Sequence, residues 1–313
     1  STLDPLEIPH PHIVTESGRA TVAHTSLLLF NVLHAMHFEA LNLPETLPAQ
    51  CHELLMTLAA LREEFDTTPL NQIYSQALSC RDTIRDRFRS GQISMRERSM
   101  AENMFLAIAQ QVARNLEKLD DIPPGLEELQ LSLADIYYGN FSVFQSLPDT
   151  WAIYQLFPVM PVHRHCEAPV REAIIADLTC DCDGKLDNFI LADRESRTLP
   201  VHPLKEGEDY LLGVFLMGAY QETMGDLHNL LGDTHVASVR INQDGSFDVM
   251  KEITGDSIGD VLSYVAYQPQ ALFETFRQKA EAAVRSGRIS VPERQRCSED
   301  SHATVRCYTY FEK

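Results

Sequence analysis

The chain has 313 residues, with 45 acidic against 26 basic side chains, a net charge of −19, 44% hydrophobic and 23% charged content. These proportions describe a globular polypeptide long enough for two or three domains and exclude a disordered or fibrous chain. The acidic excess argues against nucleic acid and anionic membrane as partners, which are held through lysine and arginine; it would favour a cationic ligand, although solubility is the weightier reason for such a surface. Seven cysteines at irregular positions form neither a disulfide ladder nor a zinc pattern, which fits a reducing cytoplasm. The first residues carry no signal-peptide pattern, and the longest apolar stretch, Leu211 to Ala219, is too short to span a bilayer.

In chain order, Pro11 to Thr15 reads as a strand, and Thr25 to His37 fits either a long strand or a buried helix. After Leu43 to Pro48 come three helical patterns. Leu54, Leu58, Leu61 and Phe65 mark the first, and Ile73, Ala77, Cys80, Ile84 and Phe88 the second, which Gly91 ends. The third opens on the capping box Ser94 to Glu97, carries Met100, Met104, Ile108 and Val112 inward, and is stopped by Asp120 to Gly125. A further short helix is expected over Leu126 to Tyr137. From Phe141 the pattern turns to strands at Ile153 to Pro161, Ala173 to Leu178, Tyr210 to Leu216, His235 to Ile241 and Phe247 to Glu252, the last two joined by a turn at Asn242 to Gly245. Helices return from Ser257, and Ser290 to Glu293 caps the last. The expected fold class is α+β: an antiparallel β-sandwich or barrel with an inserted helical bundle and a helical tail.

Three short segments carry the chemistry: Glu16-Ser17-Gly18-Arg19, Thr179-Cys180-Asp181-Cys182-Asp183-Gly184 and Gly218-Ala219-Tyr220-Gln221. Glu16 is suited to hold the protonated nitrogen of a pyridine cofactor, Gly18 to let backbone approach, and Arg19 with the Tyr220 hydroxyl to bind a phosphate. Cys180 and Asp181 would face the substrate. Taken singly, Cys180 reads as a small buried residue and Asp181 to Gly184 as an acidic turn. Asp181, Asp183 and Asp187 do not make a calcium loop, because the ligand register is too short and the closing glutamate is missing. His163 and His165 sit at strand spacing without a third ligand and read as surface or interface residues.

These segments resemble the fold-type III decarboxylases of basic amino acids, and within them the biosynthetic arginine decarboxylases of bacteria. Gly218 to Glu222, Gly225 to His235, Leu178 to Asp181 and Tyr308 to Phe311 carry the closer resemblance. It implies a strand at Thr25 to His37 and a pyridoxal phosphate enzyme, with magnesium, that converts L-arginine to agmatine and carbon dioxide in polyamine (putrescine and spermidine) biosynthesis. Glu16, Gly18, Arg19 and Tyr220 would bind the cofactor, Asp181 and Asp183 the substrate, and Cys180 would be catalytic in the neighbouring subunit. Self-association follows, as a dimer with shared sites and further to a tetramer. Relatives acting on ornithine, lysine or diaminopimelate, or a non-catalytic regulator, are the alternatives.

The resemblance also implies a barrel half before Ser1 that bears the Schiff-base lysine. The six lysines, Lys118, Lys185, Lys205, Lys251, Lys279 and Lys313, lack the desolvated setting that activates an amine. We therefore expect a carboxy-terminal portion, inactive alone. Residues 1–24 would end a TIM-type barrel, 25–40 and 141–256 form the β-domain, 41–140 the inserted bundle, and 257–313 the helical tail. Ser17 stands where many relatives have proline; His228 and His235 receive no role.

Overall fold

The computed structural model describes residues 3–41, 43, 47–48, 50–65, 67–116, 118–119, 122–126, 128–192, 194–218 and 220–312. Residues 44–46 of the expected turn, Asp120 and Asp121 of the expected helix stop, Ala219 and Lys313 lie outside them.

Strands β1 (Leu28–Met36), β2 (Asp135–Gly139), β3 (Val159–Pro161), β4 (Arg171–Ala176), β5 (Lys185–Leu186), β6 (Phe189–Ile190), β7 (Glu195–Ser196), β8 (Leu199–Val201) and β9 (Leu211–Val214) lie within two sheets. The larger runs β3-β9-β1-β2-β4-β5, with β8 also paired to β4, and β3 and β8 come close enough to curl it into a nearly closed barrel. In β1 the buried residues Leu28, Phe30 and Val32 alternate outward with Leu29, Asn31 and Leu33, the period-two pattern of a sheet that buries one face. Phe30 stacks on Phe141 at 4.2 Å between ring centroids, inside a core that takes in Tyr137, Ile175, Leu212 and Val214.

Four readings of the sequence are corrected. Residues Pro11 to Thr15 form no strand; Ile13 and Val14 are 83% and 91% exposed, and a strand needs a neighbour to hydrogen-bond. The segment Leu126 to Tyr137 is mostly not helix, and the sheet starts before Phe141, because β2 enters its middle and its apolar alternation was hidden by the buried Asp135. That carboxylate is neutralised by Arg171, which donates through Nε and Nη2 at 2.7 and 2.8 Å. The sheet is mixed rather than antiparallel: β2 and β4 run parallel, with Tyr137 opposite Ile175. Of Ile153 to Pro161 only the end, β3, is strand. Among the described residues, strands β10 (Val236–Ile241) and β11 (Phe247–Ile253) pair only with each other, around the expected Asn242 to Gly245 turn.

The helices are α1 (Gly18–Val22), α2 (Glu53–Glu63), α3 (Leu70–Arg89), α4 (Met95–Leu116), α5 (Leu129–Ser132), α6 (Val143–Ser146), α7 (Pro148–Ala152), α8 (Tyr220–Met224), α9 (Ile258–Tyr264), α10 (Pro269–Arg285) and α11 (Val291–Arg306). Helices α2, α3 and α4 build a second apolar core from Leu55, Leu58, Leu61, Ile73, Ala77, Ile84, Met104, Ile108 and Val112. The inward face of α2 is set by Leu55 rather than Leu54. Both expected capping boxes form: Ser94 with Glu97, and Ser290 with Glu293.

Candidate active site

The short helices α6 and α7, which the sequence did not announce, are the platform: the first and third segments meet on α7, and the loop carrying the second is anchored to α6. Pro148 fits the first turn of α7, where its missing N–H costs nothing, and it puts Asp149 in that same turn. Asp149 is 2% exposed, so its charge needs partners. Arg19 supplies two, donating from Nε to Oδ2 at 2.8 Å and from Nη2 to Oδ1 at 3.2 Å. Gln221 supplies a third, from Nε2 to Oδ2 at 2.8 Å, and its Oε1 accepts the Asp149 N–H at 3.2 Å. The Arg19 bonds hold the Asp149 carboxyl below the usual carboxylate range against the opposing effect of burial, and Asp149 in turn raises the guanidinium.

The guanidinium also lies over the Tyr220 ring, 5.1 Å from its centroid. Tyr220 reaches Gly18 so closely that a Cβ there would stand 2.5 Å from the phenol oxygen. The Gly218 carbonyl accepts from Ser26 Oγ at 2.6 Å, which ties the third segment to the chain leaving the first. Gly18, Arg19 and Tyr220 thus come together although some 200 residues separate them, and Glu16 stands exposed on the adjoining coil.

The second cluster follows β4. Buried Asp177 accepts from the Val143 N–H at 2.8 Å and from the Thr179 N–H and Oγ1, each at 2.7 Å. Burial raises its carboxyl pKa and those bonds oppose the rise. The loop it anchors closes only because residue 184 is glycine: a Cβ would lie 2.2 Å from Thr179 Oγ1 and 2.3 Å from Asp177 Oδ1. On its outer side Asp181 Oδ1 accepts the Asp183 N–H at 3.0 Å, and Cys180 Sγ accepts from Asn229 Nδ2 at 3.4 Å. His228 Nε2 stands 3.6 Å from Asp181 Oδ2, its ring 4.4 Å from that of Phe144 on α6. Asn229 reaches the thiol from the left-handed region, at φ 56°, a conformation asparagine tolerates better than most side chains.

The stretch carrying His228 is tied down from behind. Asp226 N–H donates to the Phe144 carbonyl at 3.0 Å, Gln145 Nε2 to Asp233 Oδ1, and Tyr310 Oη to the Gly232 carbonyl at 2.8 Å. His235 stacks on Tyr308 at 4.1 Å. His163 and His165 are taken up by backbone, at the Leu211 N–H and the Pro161 carbonyl. The five described lysines are all exposed. Sequence reasoning missed Asp149 and the parts played by Gln221, His228 and Asn229; a lone Pro-Asp pair signals a helix start and nothing more.

Residues 48–130 match the arginine decarboxylase helical bundle domain, and 258–311 the arginine decarboxylase C-terminal helical extension. The chain is 41% identical over 304 residues to the biosynthetic arginine decarboxylase of Thermosynechococcus vestitus, covering 97% of this chain and 47% of that protein. It is 38% identical over 305 residues to the one from Bacteroides thetaiotaomicron, covering 97% and 48%. This chain belongs to the biosynthetic arginine decarboxylase family. The crystal structure of the biosynthetic arginine decarboxylase from Campylobacter jejuni superposes with a TM-score of 0.74 at 26% identity, over 95% of this chain and 47% of that one. The chain spans about half the length of the biosynthetic arginine decarboxylases it matches. Among its described residues no helix is long and apolar enough to cross a membrane.

Proposed function

We propose that the polypeptide to which this chain belongs decarboxylates L-arginine to agmatine and carbon dioxide, supplying a polyamine route, and that this chain is its carboxy-terminal part. The observation that carries the reading is the meeting of Gly18, Arg19 and Tyr220 over the buried Asp149–Gln221 pair, in a chain 41% identical to a biosynthetic arginine decarboxylase. The cofactor implied is pyridoxal phosphate, an electron sink for the bond that loses carbon dioxide. The residues fit it: Gly18 lets the Tyr220 hydroxyl stand close to the backbone beside Arg19, and the Asp149 pair uses Nε and Nη2 of Arg19, so that Nη1 is available to a phosphate oxygen. Tyr220 would flank the phosphate and Glu16 would hold the ring nitrogen in its protonated form.

At the other cluster, Asp181 would accept the guanidinium of the substrate through two parallel bonds, with Asp183 adding negative charge. Cys180 would stand at the reacting end of the substrate in the neighbouring subunit's site, making a dimer the smallest working unit and a tetramer a further stage of assembly. Magnesium does not fit this cluster. The donor atoms of Asp181, Cys182 and Asp183 lie within 4.8 Å of one another, but a thiol is a poor ligand for that hard ion, which favours oxygen. The seven free cysteines accord with a cytoplasmic setting.

The test is release of labelled carbon dioxide from arginine, ornithine, lysine and diaminopimelate, comparing this chain with the full-length polypeptide in the presence of pyridoxal phosphate. Release by the full-length protein alone and from arginine alone is expected. Turnover by this chain would assign the Schiff base to one of its own exposed lysines, and silence from both would favour a non-catalytic regulator.

A further inference from the structure

Asp149 belongs to none of the three segments, yet every hydrogen bond its carboxylate accepts comes from one of them. Its carboxylate is 3% exposed while the arginine it grips is 49% exposed. The guanidinium is therefore held along its inner edge by Nε and Nη2, and its outer edge faces open space. An arginine side chain is rich in rotamer entropy, part of which a free arginine loses when it closes on an anion. Here that ordering is already in place, because Gln221 holds Asp149 at both its carboxylate and its backbone N–H, and the guanidinium lies over the Tyr220 ring. A salt link meant only to join α1 to α7 needs neither the amide clamp nor a half-exposed cation.

We propose that Asp149, clamped by Gln221, is a positioning residue that presets the Arg19 guanidinium for the phosphate of the cofactor. The inference rests on the reading of Arg19 as a phosphate ligand. Asp149 lends the site no attraction for phosphate, since its own charge opposes an anion; it contributes geometry. Its loss should therefore weaken recognition of the phosphate group selectively and leave contacts to the pyridine ring alone.

The experiment uses the full-length enzyme and measures equilibrium affinity for pyridoxal phosphate and for pyridoxal, which lacks the phosphate, in a double-mutant cycle of Asp149→Asn and Arg19→Ala. Asp149→Asn is expected to weaken pyridoxal phosphate about tenfold, as lost preorganisation does, with pyridoxal unchanged. In the Arg19→Ala background the same substitution should cost about twofold or less. Equal losses with Arg19 present and absent, or equal losses for the two ligands, would show that Asp149 supports the fold and would overturn the proposal. Should Arg19→Ala itself leave the preference for the phosphorylated ligand intact, the reading of Arg19 fails, and with it the inference. If Asp149→Asn does not fold, Gln221→Ala, which loosens the carboxylate without removing its charge, takes its place in the cycle with the same expected pattern.

Discussion

Gly18 shows how a single missing carbon shapes the candidate site. The 2.5 Å approach that a Cβ would make to the Tyr220 oxygen is below van der Waals contact, so Gly18→Ala must push the phenol away. Gly18 lies in a helical turn, so alanine meets no backbone penalty there, and the exposed α1 contributes nothing to the buried core. In the full-length enzyme Gly18→Ala should weaken pyridoxal phosphate by about tenfold, the scale of a small misplacement in a site, with no loss of thermal stability. Adding Tyr220→Phe, which removes the clashing oxygen, should make the alanine nearly silent; a tenfold loss that persists would mean the clash is not the cause. That Gly18, Arg19 and Tyr220 stand together was legible because they lie in short segments read for one chemistry. Asp149 was not: its meaning is a contact across 130 residues of chain. His228 and Asn229 were invisible for the same reason, since only the folded loop carries them to Asp181 and Cys180.

Among the elements, β2 explains most of what the sequence concealed. Its buried positions hold Asp135, Tyr137 and Gly139, two of them polar, so the alternation that marks β1 is absent although the geometry is the same. Tyr137 is fully buried, and its hydroxyl donates to the His202 carbonyl at 3.0 Å. Burial, with the nearby Asp135 charge, pushes its pKa from 10 up to about 12. Because the folded state holds the proton more tightly, the stabilisation this phenol provides is complete below the unfolded value near pH 10 and drains away as pH rises toward 12. Tyr137→Phe orphans a buried carbonyl and should cost about 1–2 kcal/mol at neutral pH. Urea unfolding at pH 7, 9 and 11 checks both points: the gap between the two proteins should hold at the first two and shrink at the third, and a constant gap would contradict the assigned shift. The amphipathic helices were read without such trouble, because apolar side chains repeating every three or four residues need no distant partner to be recognised. Their limits show at α2, where Leu54 and Leu55 are both apolar and only packing decides that Leu55 turns inward.

At the scale of the whole molecule the chain holds two apolar cores with no residue in common, one inside the curled sheet and one among α2, α3 and α4. The links between them include polar ones at the edge: Gln110 Nε2 donates to the Phe38 carbonyl at 2.9 Å, and the Leu41 N–H to Asn103 Oδ1 at 3.1 Å. Bonds of that kind contribute about 1 kcal/mol each, too little to force two cores to melt together. The helical unit also has its own internal charge pairing, Arg85 to Glu102 at 2.6 Å, and cations stacked on Phe88 and Phe105. It should therefore open as a separate cooperative unit. Ile108 is fully buried at its centre, and Ile108→Ala should lower the stability of that unit by about 2–5 kcal/mol through lost burial and the cavity left behind. Hydrogen exchange followed by mass spectrometry reads the two parts independently: peptides across α3 and α4 should lose protection while those across β4 and β9 keep theirs. A sheet that loosened in step with the helices would mean that the two cores form one folding unit, and that the polar seam transmits far more than its bonds contribute.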